Sequence, residues 1–370
     1  MTVRKAFLAL AMLPFCAFAA QDSSNAIIRL LNSRASGSPR GYAEAAEVVA
    51  RDAAAGRPLQ QFVIALVSEE PNAPAAAKIS AEKRKEYLDA NRAKIRSLAE
   101  RKGNGLAWYL LSLEENDAKF LKRAADAGNV QALNAWGTMT LTQAFAAEAD
   151  TNDVHKALAK SFECFKSAAA QGDANGAYNL GMCYLNGYGC EKDPDLAFNC
   201  FRTASDKGHP EAINNIGGFY RDGGTVVERN LELAAKFFEK SATLGNAFGQ
   251  LNLALALQRG EGVAKDDHRA FELLTESAAQ GNAEAMNALG MCHYHGNGVE
   301  KNFYKAMRWY RSSAALGYAP AMDNIATCCD FGHGVQKSPE SAMVWRARAR
   351  AARGDRNAVS WLRQNGYSLR

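Results

Sequence analysis

The chain has 370 residues, 48% of them hydrophobic and 22% charged, with nine prolines and a formal charge of +5. That is apolar material enough for a large folded body, and too little net charge for a chain whose whole surface grips nucleic acid. The apolar run 6–20 is shorter than the ~20 residues that cross a bilayer, and no later run is longer, so no membrane span is expected.

Arg4 and Lys5, then that apolar run, then the small residues around Ala17-Phe18-Ala19 read as a secretory signal over residues 1–19, cleaved after Ala19. Its loss lowers the charge from +5 to +3. Cys16 at the end of the run leaves lipid anchoring open, although Phe15 is larger than the small residue such signals favour there. The expectation is an exported protein, periplasmic or secreted. Residues 20–127 read as helices in irregular units: an Ala-rich stretch 44–55 closed by Gly56, an apolar stretch 59–67, a loop at 71–74 set by its prolines, and a long charged helix over 82–102. A hinge is expected at 70–80.

Over residues 128–354 one phrase returns. Gly172, Gly208, Gly245, Gly281, Gly317 and Gly354 close similar stretches at spacings of 36, 37, 36, 36 and 37 residues, and a fixed period of this size means stacked repeats. Each repeat divides into two helices. The first carries Ala177, Leu180 and Tyr184 at spacings of three and four, and ends at a glycine pair. The second is expected to start at Asp193, Asn230, Asp266, Asn302 or Ser338, whose side-chain oxygens can take a backbone N–H. Pro194 and Pro339 stand next, where proline costs nothing. Gly128 to Gly172 is longer, at 44 residues, which places an insertion at 146–154. Nine residues after successive closing glycines stand Gly137, Gly181, Gly217, Ala254, Gly290 and Ala326, small enough to let a neighbouring helix approach; we expect this position to seat one repeat on the next. Arg363 holds that place after Gly354, so residues 355–370 are expected to be a capping helix with a polar outer face.

Leu180, Gly181, Tyr184, Gly187 and Gly189, and again Leu289, Gly290, Gly296, Gly298 and Val299, follow the pattern Leu-Gly-x-x-Tyr-x-x-Gly-x-Gly-Val. On these residues the chain resembles the Sel1-like repeat family, relatives of the tetratricopeptide repeats. Cys190 replaces the usual valine and His293 the usual tyrosine, and the resemblance weakens before Gly128. It implies an all-α fold, a right-handed α/α solenoid of stacked helix-turn-helix repeats used as a protein-binding scaffold, with no chemistry of its own.

Four features invite a chemical reading. Ser80 and Lys83 fit the Ser-x-x-Lys pattern, and some cysteine-rich relatives of the family are associated with β-lactams. No Lys-Thr-Gly or Ser-Asp-Asn accompanies them, so a weak β-lactam-binding hydrolase is only the alternative, and Ser80 reads more simply as a helix cap. Cys292, His293 and His295 stand one repeat before Cys328, Cys329 and His333, a donor set of zinc type, yet His293 and Cys329 hold the family's core tyrosine position; no metal and no cofactor is expected. Cys190 has no neighbouring histidine to act as its base. The glycine pairs follow no strand and precede no Gly-Lys-Ser/Thr, so they are turns. Seven cysteines follow the signal; a Cys183–Cys200 bridge is left open beside the reading of buried core residues.

Binding has its own candidates. Asn179, Asn215, Asn252 and Asn324 recur seven residues after a closing glycine. The resemblance places first helices on the concave side, where such amides would grip an extended peptide; the competing reading is a ladder that joins repeats internally. Arg346, Arg350 and Arg353 share one helix face, either a solvated cap or a seat for an acidic partner or anionic polymer. Together these features point to an exported, non-enzymatic adaptor with a protein or peptide partner and no nucleic acid.

Overall fold

The structure, a computed structural model, describes Ile27, Leu30, Leu31 and residues 39–70, 72–145 and 151–368. The expected signal, with Cys16, lies outside them. Among the described residues there are 18 α-helices, one short 3-10 turn and no strand. Within each stretch, consecutive helices pack chiefly on one another, so the expected all-α solenoid stands. The chain forms two compact units, residues 1–212 and 213–370.

The first unit opens with α1 (Pro39–Ala54), α2 (Pro58–Val67), α3 (Ala81–Lys102), α4 (Gly105–Glu115) and α5 (Ala118–Asp126). The apolar stretch behaves as its composition dictates: Phe62, Val63, Ala65 and Val67 on α2 are fully buried. Between α2 and α3 the expected hinge contains a 3-10 turn, Ala75–Ala77, whose Ala77 is sealed in the core, so this loop is packed down. Then come α6 (Val130–Ala144), α7 (Thr151–Ala170), α8 (Ala174–Asn186) and α9 (Pro194–Asp206). Residues 151–154 of the expected insertion belong to α7, which runs for 20 residues where the later second helices have 13 or 14. Helix α10 (Pro210–Asp222) carries the chain onward, and the second unit continues with α11 (Leu231–Thr243), α12 (Ala247–Arg259), α13 (Asp267–Ala279), α14 (Ala283–His295), α15 (Phe303–Ala315), α16 (Ala319–Phe331), α17 (Pro339–Ala352) and α18 (Arg356–Gln364).

All five expected second-helix caps form. Asp193, Asn230, Asp266, Asn302 and Ser338 accept the N–H groups of Leu196, Leu233, Arg269, Lys305 and Ser341 at 2.9–3.1 Å. First helices are capped the same way by the residue after each closing glycine, Asp173, Asn246, Asn282 and Asp355 among them. Two repeats break that rule: Tyr318 offers no side-chain cap, and at the start of α10 the fully buried His209 accepts the Ala212 N–H through Nδ1 at 3.3 Å.

The small residue nine places after the closing glycine has a different task from the expected one. A Cβ on Gly181 would stand 2.7 Å from Phe201 Cε1 and 3.2 Å from the Ala197 carbonyl; on Gly217 it would meet Phe238 in the same way, and on Gly290 the Tyr310 ring. Each of these rings lies on the second helix of the same repeat, eight residues past its cap. The position therefore closes a hairpin internally instead of seating one repeat on the next. Phe201 and Phe238 are buried to 0% and 2% exposure, worth about 1.5–3 kcal/mol each. Arg363, at the same place on α18, is covered by no second helix among the described residues and is exposed, while Ala358 and Leu362 are buried against the unit.

Repeats meet elsewhere. Four residues after the closing glycine, a Cβ on Gly176 would lie 2.6 Å from Ala168 Cβ on α7, and one on Gly249 would lie 2.6 Å from Ser241 Cβ on α11. Alanines 212, 285 and 321 fill that place elsewhere and are fully buried. The second glycine of the turns makes another seam. Gly189, Gly262, Gly298 and Gly334 lie against the carbonyls of Leu158, Leu231, Asp267 and Phe303, on the preceding repeat's second helix, at φ of 67–74°. Left-handed backbone and the lack of room both demand glycine there.

Candidate partner-binding surface

The asparagine row is partly tied into itself. Asn252 on α12 donates Nδ2–H to Asn214 Oδ1 on α10 at 2.8 Å, and Asn324 on α16 donates to Asn287 Oδ1 on α14 at 2.8 Å. Each pair joins the first helix of one repeat to the first helix of the next. In the first unit Asn134 on α6 instead reaches Asp173 Oδ1 at 2.8 Å, the same oxygen that caps α8 through the Gly176 N–H at 2.7 Å. Burial pushes the Asp173 carboxyl above the usual range, against the pull of those hydrogen bonds. Asn179 and Asn215 occupy the same helix position and are, like Asn252 and Asn324, half-buried.

An amide carries two N–H donors and an oxygen with two lone pairs, so a single bond to a neighbour leaves capacity on a half-exposed side chain. Asn252 and Asn324 are thus joints between repeats whose amides remain half-exposed. Asn214 and Asn287 are not among the candidates of the sequence reading because they lie six, not seven, residues after Gly208 and Gly281. A search for amides at either place would have found them. Arg221 was missed as well. Its Nη1 reaches Asn252 Oδ1 at 3.3 Å while its Nε and Nη2 hold the Asp222 carboxylate at 2.7 and 3.1 Å. That hydrogen bonding holds the Asp222 carboxyl below its ordinary value. Arg221, Phe238, Asn252, Arg259 and Glu261 border a cavity of about 30 Å³, room for roughly one water.

The basic face is neutralised by its own chain. Arg346 pairs with Asp330, Arg353 with Asp323, and Arg350 with Asp355 at 2.6 Å. All three arginines are exposed, so each pair contributes little, on the order of 0–1 kcal/mol.

Ser80 Oγ accepts the Lys83 N–H at 3.2 Å as the cap of α3. The zinc-type residues do not converge: among the described residues no group of three His, Cys, Asp or Glu side chains can hold a metal ion. Cys292 accepts Nε2–H of Gln258 at 3.2 Å, His293 is buried edge-on to Phe271, and His333 stacks on the Phe303 ring at 4.2 Å, 5.6 Å from that of Phe331, with Nδ1 2.8 Å from Tyr294 Oη. All seven described cysteines are thiols. Burial pushes Cys183 up to about 12 and Cys200, Cys292 and Cys328 up to about 11, so they stay protonated and unreactive at neutral pH.

The sequence profile of the Sel1 repeat matches residues 155–173, 174–209, 210–246, 247–282, 283–318 and 319–351, together more than half of the chain. No curated protein sequence matches it. Among solved structures, it is similar to a protective antigen of uropathogenic Escherichia coli with an SLR fold, at 29% identity and a TM-score of 0.55 over 85% of this chain and 65% of that one. The chain thus spans just under two thirds of the length of that antigen. A Sel1 repeat protein from Oxalobacter formigenes shares the fold, at 24% identity and a TM-score of 0.52 over 70% of this chain and 95% of that one.

Proposed function

This chain belongs to the Sel1 repeat family, and from that premise we propose that it is an exported adaptor that holds a protein or peptide partner and carries out no reaction itself. The observation that carries the reading is the half-exposed amide row on successive first helices, with Asn252 and Asn324 fixed in direction by Asn214 and Asn287. Donors and acceptors held on rigid helices meet the backbone of an extended peptide without first losing rotamer freedom. Removal of residues 1–19 would deliver the mature chain to the periplasm or beyond, a destination favoured by the charged start, the apolar run and Ala17 to Ala19. The likeness to a protective antigen supports the same destination, since an antigen that protects is one the host meets.

The test compares full-length wild type with an Asn252→Ala, Asn324→Ala variant as bait in envelope fractions of the expressing cells, with circular dichroism to establish that both are folded. The wild type is expected to retain a protein that the folded variant loses. Retention by both would refute the amide row as the contact. Absence of any specific retention by the wild type would refute the adaptor itself.

A further inference from the structure

A second surface lies at the end of the 213–370 unit. The carboxyl ends of α15 and α17 and the start of α18 enclose a cavity of about 280 Å³, bordered by Leu316, Met322, Ala352 and Val359 among others. Leu316 is 57% exposed there, a large apolar side chain left in water.

The charge beside it is positive along α18. Residues three or four apart on a helix are surface neighbours, which puts Arg356 and Arg363 on either side of Val359. Both are exposed, and neither takes a carboxylate of the described residues. Asp323 is engaged by Arg353 and Asp355 by Arg350, and the exposed Glu284 acts on Tyr318, next to the lining Gly317. An apolar floor with two free arginines along α18 complements one kind of visitor, a segment that sets an apolar side chain beside carboxylates. We propose that this notch docks an acidic peptide through a leucine-, methionine- or phenylalanine-type side chain. The inference rests on the adaptor reading and adds the chemistry of one partner.

Random linear peptides displayed on phage, selected on the full-length protein, test it without presupposing a sequence. Sequences that join Asp or Glu to a large apolar residue are expected to be enriched. A peptide so obtained, labelled and followed by fluorescence anisotropy, should bind about tenfold more weakly to the Arg356→Glu, Arg363→Glu variant, and more weakly to wild type as salt rises. Leu316→Ser should weaken it too. These side chains are exposed, so all variants should melt with the wild type. Enrichment of basic or neutral sequences, undiminished affinity in the arginine variant, or binding to phosphatidylglycerol vesicles without any acidic peptide would overturn the proposal. The Asn252→Ala, Asn324→Ala variant separates the two readings: it should keep this peptide, and loss of the notch with partner retention through the amide row intact would leave the adaptor standing.

Discussion

Gly217→Ala is the sharpest perturbation of the hairpin packing. In an exposed helix the change is stabilising, by about 0.5–1 kcal/mol, because glycine loses more backbone freedom on folding. At Gly217 the added methyl would lie 2.7 Å from Phe238 Cε1, 2.8 Å from Cδ1 and 3.2 Å from the Ala234 carbonyl. Phe238 is only 2% exposed, and the cavity beside it holds roughly one water, so the ring has little room to retreat, and overpacking of this kind costs about 1–3 kcal/mol. The net expectation is a loss of up to about 2.5 kcal/mol. The neighbouring Gly218 is the control, since a Cβ there meets nothing within 4 Å and Gly218→Ala should stabilise. The next repeat supplies the rescue, with Ala254 and Leu274 at the equivalent places, both fully buried. Adding Phe238→Leu to Gly217→Ala should therefore recover at least about 1 kcal/mol relative to the sum of the single changes. Urea unfolding of the four proteins followed by circular dichroism reads the cycle. Additivity within about 0.5 kcal/mol, or a Gly217→Ala protein as stable as Gly218→Ala, would refute the packing argument.

His209 gives a pH signature. Burial lowers its pKa from 6.5 to about 3, so the unfolded chain binds the proton first as pH falls: stability is complete above about 6.5 and is lost as the pH drops toward 3. At pH 5 the loss is about 1–2 kcal/mol, moderated because Glu211 Oε2 lies 3.2 Å from Nδ1 and would receive an imidazolium. His209→Asn, which restores the cap type of the other repeats, should flatten that slope in melts from pH 7 to 4; an unchanged slope would assign it to other groups. Ser80→Ala should cost about 1 kcal/mol as a lost cap and leave nitrocefin hydrolysis at the rate of buffer alone, whereas turnover abolished by the change would make Ser80 a nucleophile. Under native conditions at pH 8, iodoacetamide should label the half-buried Cys190 well before Cys183, which is fully buried and pushed up to about 12; equal rates, read by peptide mass, would contradict the burial order.

Much of the architecture was written in local chemistry. Cap residues such as Asp193 and Ser338 act within three residues of themselves, and the closing glycines act through their own φ, so the helix starts, the period and the resemblance could be read without knowing what touches what. The asparagine row was visible for the same reason, being periodic in the chain. What each periodic position does was not visible, because that depends on which helix lies opposite. Gly181 and Gly217 look like seats for the next repeat until Phe201 and Phe238 of their own repeats are found against them. The arginines of α17 look like a free basic face until Asp330, Asp323 and Asp355 arrive from other turns of the fold.

By itself, then, the amino-acid order determined a stack of capped helical hairpins with small residues and amides at a repeating register, since propensity, capping and left-handed glycine are properties of a few adjacent residues. Only the tertiary structure decided which side of each helix meets its own repeat and which meets the next, which amides pair, and which charges remain without a partner. Those outcomes turn on distances of a few ångströms between groups on different helices, up to 38 residues apart in sequence for Asn214 and Asn252, and contact at that range is a property of packing that no single stretch of chain contains.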